Sequence, residues 1–159
     1  MPRPLPSQEE LHALFDYSST TGLFTYKTKG NCIAGSINKV SRYRFIRIKR
    51  ILYKASRLAW MYVYGEDPGV LTVDHIDRDK SNDAIDNLRL ATRSQQNFNR
   101  SKWGNSTGIR GVYYNKKTGK YLAQIQFCDK RTTKQFDTAE EAQAYYNKLR
   151  AEHGGEFAA

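Results

Sequence analysis

The sequence predicts an α+β protein that is built from two small modules. Its 159 residues allow one domain or two small ones. Short β-rich segments alternate with short helical segments, and capping boxes mark helix starts at Ser7, Thr92 and Thr138. Residues 101–108, Ser-Lys-Trp-Gly-Asn-Ser-Thr-Gly, have the composition of a linker. We therefore expect a first module over residues 1–100, a linker over 101–107 and a second module over 108–157.

The charge of the chain favours a nucleic-acid partner. It has 26 Lys and Arg against 16 Asp and Glu, a formal net charge of +10. Aromatic residues make up 13% of the chain, which argues against a disordered protein. Residues 41–65 hold seven basic side chains and no acid, whereas residues 66–100 are slightly acidic. Because neutralised phosphates release counterions, basic surfaces of this kind bind polyanions. We expect double-stranded DNA as the partner.

Several classes of protein are disfavoured by composition. No apolar run approaches the roughly 18 residues of a membrane span, and the N-terminus lacks the apolar core of a signal peptide. Cys32 and Cys128 are too far apart for a zinc knuckle. Only three His are present, so a metal site must rely on carboxylate and amide oxygens. We expect a cytoplasmic protein without a membrane partner.

The first module begins with predicted elements that lead to a basic hairpin. They are a capped helix after Ser7, a strand at 23–26, hairpin strands at 43–48 and 51–55, and a helix at 56–64. The basic side chains of the hairpin could bind the DNA backbone, or they could form a solvated strand edge whose charge prevents aggregation. Their closeness in sequence to the acidic segment favours DNA contacts by Arg44, Arg47, Lys49 and Arg50.

The acidic segment combines a strand at 70–75, a polar loop, a strand at 88–91 and a helix at 92–100. Phosphodiester hydrolysis needs a base for water and a cation for the leaving oxygen. Neighbouring strand residues face opposite sides, so His75 could face the water while Asp74 faces a metal. Magnesium or manganese suits such oxygen ligands. Four further polar residues are expected to be loop and turn residues, namely Asp77, Asp79, Asn82 and Asp83.

Three parts of this segment resemble the HNH endonuclease family. They are Asp74-His75, Asn87-Leu-Arg89 and the helix 94–100, Ser-Gln-Gln-Asn-Phe-Asn-Arg. The resemblance is to the branch of phage and intron-encoded homing endonucleases, and it implies a ββα-metal core over about 70–100. It implies His75 as general base, Asp74 as ligand of one divalent cation, and Asn87 as the residue that braces the loop. It also implies a phage origin and a homing role in the host cytoplasm. One base and one metal would let a monomer nick one strand at a time, whereas a double-strand cut would need a dimer or two successive events.

Two positions depart from the family pattern. Gln96 stands where the family usually has the second metal ligand, Asn or His, and a shift of one residue would give that role to Asn97. Ser56 stands where related phage proteins commonly have His. These departures leave open a different class of function, a DNA-binding regulator with a vestigial HNH fold. At the start of the same helix, Arg93 is expected to contact DNA.

The second module resembles the ethylene-response-factor type of DNA-binding domain over residues 108–113, 120–125 and 136–146. That resemblance implies a three-stranded antiparallel sheet packed on one helix, with the sheet laid in the major groove. Several Arg and Trp of the plant domain are replaced here, so its target sequence does not carry over. The expected base contacts are Arg110, Tyr113, Lys120, Gln124, Gln126 and Gln135, and the expected phosphate contacts are Lys117 and Arg131.

Overall fold

The structure is a computed structural model that describes residues 4–28, 30–99, 107–127 and 130–154. The side chains of residues 97–99 and 154 lie outside the description. The chain divides into two compact units, Met1–Thr92 and Arg93–Ala159. The helix that follows the acidic segment is thus grouped with the second unit, and most of the predicted linker falls outside the described residues.

The first unit is a set of short hairpins packed around two helices. Its elements in chain order are α1 (Gln8–Leu14), β1 (Phe15–Tyr17), β2 (Phe24–Tyr26), β3 (Ser36–Ile37), β4 (Arg44–Ile48), β5 (Ile51–Lys54), α2 (Ala55–Tyr64), β6 (Thr72–His75), a 3₁₀ turn (Ile85–Asn87) and β7 (Leu88–Ala91). The strands pair antiparallel as β1–β2, β3–β4–β5 and β6–β7.

Local sequence signals determine where the two helices begin and end. The Ser7 hydroxyl accepts a hydrogen bond from the Glu10 amide, which caps α1 as the sequence predicts. Gly65 ends α2 in the left-handed conformation, and its amide bonds back to the carbonyl of Met61. Both helices bury their apolar faces in one core, whose completely buried members include Leu11, Phe15, Phe24, Ile46 and Leu58.

The second unit contains a three-stranded antiparallel sheet with one long helix packed on it. Its elements are α3 (Arg93–Asn99), β8 (Val112–Asn115), β9 (Lys120–Phe127), β10 (Lys130–Phe136) and α4 (Ala139–Gly154), and the strand order is β10–β9–β8. Alternation along β9 puts Ala123 and Ile125 on the buried face. Ala142 and Tyr146 of α4 are also buried and cover that face.

The structure differs from the sequence prediction mainly at short strands. The β6 strand begins at Thr72 rather than residue 70. The strands β1 and β3 have no counterpart in the prediction, because two or three residues are too few to show a period of two.

No helix in the described ranges is both long enough and apolar enough to cross a membrane.

Gly111 allows the close approach of α4 to the sheet. Its φ is +70°, and a Cβ built on it would lie 2.1 Å from the ring of Tyr146. We expect Gly111→Ala to destabilise the protein by about 2–4 kcal/mol. The cost of the left-handed backbone conformation adds to the cost of the clash with the Tyr146 ring. Gly119→Ala is the matched control, because Gly119 has a φ of +69° but no neighbour within 4 Å of the added Cβ. Urea unfolding measures both, and equal midpoint losses for the two variants would contradict the packing argument.

Candidate active site

The candidate site lies on the β6–β7 hairpin. The register places Asp74 opposite Arg89 and His75 opposite Leu88. Asp74 and Arg89 are also ion-paired, with 3.3 Å between Oδ2 and Nη2, and both side chains are largely buried. The carboxylate at the predicted metal position therefore has a neighbouring cation that reduces the cost of burying its charge.

His75 forms a buried hydrogen bond with an acid from the polar loop. Its Nε2 lies 2.9 Å from Oδ1 of Asp83, and the two side chains are 4% and 2% exposed. An ionised carboxylate only accepts hydrogen bonds, so Nε2–H donates to it. In the neutral ring the lone pair is then on Nδ1, which is the arrangement that a general base requires.

The environment of Asp83 combines burial with opposing charges. Burial raises the pKa of Asp83 above its ordinary value, whereas the hydrogen bond from His75 and the nearby Arg44 guanidinium act against this rise. Its second oxygen, Oδ2, is buried and has no hydrogen-bond partner within the described ranges. A buried oxygen without a hydrogen bond lowers the stability of the fold. The hydrogen bond between Oδ1 and His75 is therefore the contact that stabilises the buried position of this carboxyl group.

The N-terminal hairpin holds the backbone at Asp83. The Tyr17 hydroxyl donates to the Asp83 carbonyl at 2.7 Å, and the Ile85 amide donates to the Ser19 carbonyl at 3.0 Å. Gly22 packs against the same segment so closely that a Cβ on it would lie 2.2 Å from the Asp83 carbonyl carbon. Burial raises the pKa of Tyr17, so its hydroxyl stays a donor across the ordinary pH range.

Asn87 closes the loop between the two strands. Its Nδ2 donates to the Asn82 carbonyl at 2.8 Å and to Oδ1 of Asp77 at 3.0 Å, and its Oδ1 accepts from the Asp77 amide at 3.0 Å. These are hydrogen bonds of the kind that the resemblance implies for this residue. Its part in a reaction stays a prediction.

The other acids of the loop are engaged in turns. Asp79 accepts from both the amide and the hydroxyl of Ser81, and these bonds lower the pKa of its carboxyl. Asp77 accepts from Asn82 and from the Asp79 amide. Asp77, Asp79 and Asn82 are therefore turn residues, as the sequence predicts. Asp83 differs, because it is buried against His75.

The described residues contain no group of three or more His, Cys, Asp or Glu that could hold a metal ion. Asp74 fits a site of another kind, in which one or two protein oxygens bind the cation and substrate phosphates complete its coordination. Gln96 lies on α3 in the second unit, as does Arg93. The side chain of Asn97 lies outside the description. The cation and both of its protein ligands therefore stay predictions.

The basic hairpin exposes only part of its predicted DNA-binding set. Arg47 is exposed on β4, and Lys49 and Arg50 form the turn with φ values of +46° and +69°. Lys49 is ion-paired with Glu10 at 2.8 Å. Arg44 is half-buried, because alternation puts it on the same face as the buried Ile46.

In the second unit the register gathers most of the predicted contacts on one face of the sheet. Cross-strand pairing aligns Tyr113 and Gln135 with Leu122, and Arg131 with Gln126. The Gln124 side chain accepts a hydrogen bond from Arg131. The face opposite α4 thus presents Tyr113, Lys120, Gln124, Gln126, Arg131 and Gln135. Lys117 is exposed in the β8–β9 turn, and Arg110 is half-buried just before β8.

Comparisons with known proteins point to one family. A family model described as HNH endonuclease matches residues 53–98, which include β6, the polar loop and β7. The uncharacterized HNH endonuclease L560 of Acanthamoeba polyphaga mimivirus is 37% identical over 100 residues, which cover 62% of this chain and 51% of the relative. This chain therefore spans about half the length of that relative.

Two further similarities extend the comparison. Protein 3.8 of Escherichia phage T7 is 30% identical over 110 residues, which cover 67% of this chain and 91% of the phage protein. A solved structure of the HNH homing endonuclease I-HmuI, described for DNA binding and cleavage, is 25% identical. It covers 55% of this chain and 52% of its own, with a TM-score of 0.45.

The Tyr17 hydrogen bond gives a test of how the loop is held. We expect Tyr17→Phe to lower the free energy of unfolding by about 1–2 kcal/mol, because the half-buried carbonyl of Asp83 loses its donor. The control is Tyr64→Phe, since Tyr64 is 51% exposed. Urea unfolding monitored by circular dichroism measures both. Equal midpoints for Tyr17→Phe and wild type would show that this bond does not hold the loop.

Proposed function

Because the chain belongs to the HNH endonuclease family, we propose that it is a metal-dependent DNA endonuclease that hydrolyses phosphodiester bonds and nicks one strand at each site. The observation that carries the proposal is the buried pair of His75 and Asp83 beside Asp74 on β6. When one nitrogen of a histidine donates to a carboxylate, the ring is held in one orientation and one tautomer. Its other nitrogen can then act as the base.

In the proposed reaction, His75 draws a proton from water onto Nδ1 while Asp83 accepts the hydrogen bond of Nε2–H. The water oxygen attacks the phosphorus, the bond from phosphorus to the leaving oxygen breaks, and the leaving oxygen takes up a proton from solvent. Asp83 is a positioning residue, because it acts through His75. Asn87 keeps the loop closed around this pair.

Asp74 would hold the cation, together with Gln96 or Asn97 from the predicted helix and the phosphate of the substrate. A bound magnesium or manganese ion would supply charge that stabilises the phosphate and the leaving oxygen during hydrolysis. The Arg89 guanidinium beside Asp74 offsets part of the negative charge when no cation is present.

The proposed role of the second unit is to add affinity and sequence preference for duplex DNA. The resemblance to the ethylene-response-factor domain suggests this role, and the polar face opposite α4 supports it. In this proposal, Gln124 and Gln126 of that face read bases and Arg131 contacts phosphate. We propose a monomer as the acting species, which agrees with one cut at a time.

A second candidate function, a DNA-binding regulator that does not cut, is favoured by the Asp74–Arg89 ion pair. A guanidinium at 3.3 Å competes with a cation for this carboxylate. Ser56, which replaces the His common in related phage proteins, is 2% exposed in the first turn of α2. The regulator would bind DNA with the same salt dependence but would leave it intact.

Supercoiled plasmid tests the nuclease directly. We expect relaxed circles with magnesium or manganese and none with EDTA, because the cation stabilises the leaving oxygen. His75→Ala removes the base and should lower the rate by about 100- to 10,000-fold. His12→Ala is the control, since His12 is exposed on α1. Intact plasmid and intact genomic DNA, together with a positive gel shift, would favour the regulator.

Asp83→Asn separates positioning from binding. The amide can donate to Nε2 and so favour the wrong tautomer of His75, and we expect kcat to fall by roughly 100-fold or more while KM stays within about threefold. Asp86→Asn is the matched control, because Asp86 is exposed in the 3₁₀ turn. Nicking rates at several plasmid concentrations give kcat and KM separately. A changed KM with an unchanged kcat would refute the positioning role.

A further inference from the structure

Two lysines from different parts of the first unit meet at the ring of Tyr43. The Nζ of Lys54 lies 3.9 Å from the ring centroid, and the Nζ of Lys80 lies 5.0 Å from it. Lys54 is the last residue of β5, and Lys80 comes from the polar loop. The same ring is 5.9 Å, centroid to centroid, from the imidazole of His75. Both ammonium groups are therefore close to the candidate base.

The two charges lack acidic partners. Among the described residues neither lysine is ion-paired with a carboxylate, and the Lys80 ammonium makes only a long contact of 3.5 Å with the Ser41 carbonyl. The two acids whose charges act on Tyr43 are already engaged, since Asp74 is paired with Arg89 and Asp83 with His75. In contrast, Arg57 is neutralised by Asp67 at 2.6 Å.

Holding these charges together is unfavourable for the protein alone. Lys54 is half-buried. Burial is the largest effect that lowers the pKa of its ammonium, and the charges of Lys80 and Arg57 lower this pKa further. The Tyr43 ring offers partial compensation through its cation–π contacts with the two ammonium groups. An anion bound between the ammonium groups would remove both the repulsion and the unpaired charge.

We propose that Lys54 and Lys80, whose ammonium groups both contact the Tyr43 ring, bind one backbone phosphate of the DNA beside His75. This inference rests on the proposed function and names the residues that would position its substrate. A phosphodiester suits the site because it is a small, singly charged anion with two oxygens, one for each lysine. The basic hairpin and the polar loop would thus meet at the phosphate.

The test uses the full chain and a labelled DNA duplex in EDTA, so that binding is measured without cleavage. The variants are Lys54→Met, Lys80→Gln and the double variant. Lys148→Gln is the control, because it removes one exposed charge from α4, the helix that covers the other face of the sheet. Fluorescence anisotropy over a series of salt concentrations gives the affinity and its salt slope.

We expect each single variant to bind about 3- to 10-fold more weakly and to lose up to about one unit of salt slope. The double variant should lose less than the product of the single losses, because both lysines serve the same phosphate. Lys148→Gln should bind like wild type. Affinities of all three site variants that equal that of the control would overturn the inference.

Stability separates this role from a purely structural one. Removing either lysine relieves repulsion, so we expect the midpoint of urea unfolding to stay unchanged or to rise, although affinity falls. Lower midpoints with unchanged affinity would assign the lysines to folding and overturn the phosphate site. A wild type that binds duplex DNA but cuts none would refute the nuclease alone. A wild type that binds no duplex would refute both.

Discussion

The hydrogen bond between His75 and Asp83 is the contact on which the rest of the site depends. Both side chains are almost completely buried, so burying either one without the other would destabilise the fold. Asp83 can reach His75 only because the polar loop folds back over β6, and Asn87, Tyr17 and Gly22 hold it there. The N-terminal hairpin is therefore part of the architecture of the site, although it carries none of the predicted reacting groups.

Features that depend on neighbouring residues could be predicted from the sequence. The Ser7 cap, the glycine that ends α2 and the alternation along β9 are such features. The resemblance also identified the segment that the family comparison matches. The same local signals are absent from β1 and β3, which are stabilised by pairing with the next strand in the chain, β2 and β4 respectively.

The partner of His75 could not be predicted in this way. Asp83 is one of several acids in a polar loop, and composition does not distinguish it from Asp77 or Asp79. What distinguishes it is its burial, together with the hydrogen bond that its carbonyl accepts from Tyr17, 66 residues away in the chain. The Tyr43 cluster was missed for the same reason, because its two lysines are brought together only by tertiary folding. Long-range contacts of this kind leave no period in the sequence.

The most direct test of this account is the protonation of the His75 ring, read from long-range ¹H–¹⁵N spectra of protein labelled at its three histidines and assigned with His75→Gln. At a pH where the ring is neutral, the account predicts a proton on Nε2 and none on Nδ1, and it predicts that Asp83→Asn abolishes this preference. A ring protonated at Nδ1 in the wild type, or a preference that survives Asp83→Asn, would contradict the claim that Asp83 orients the base.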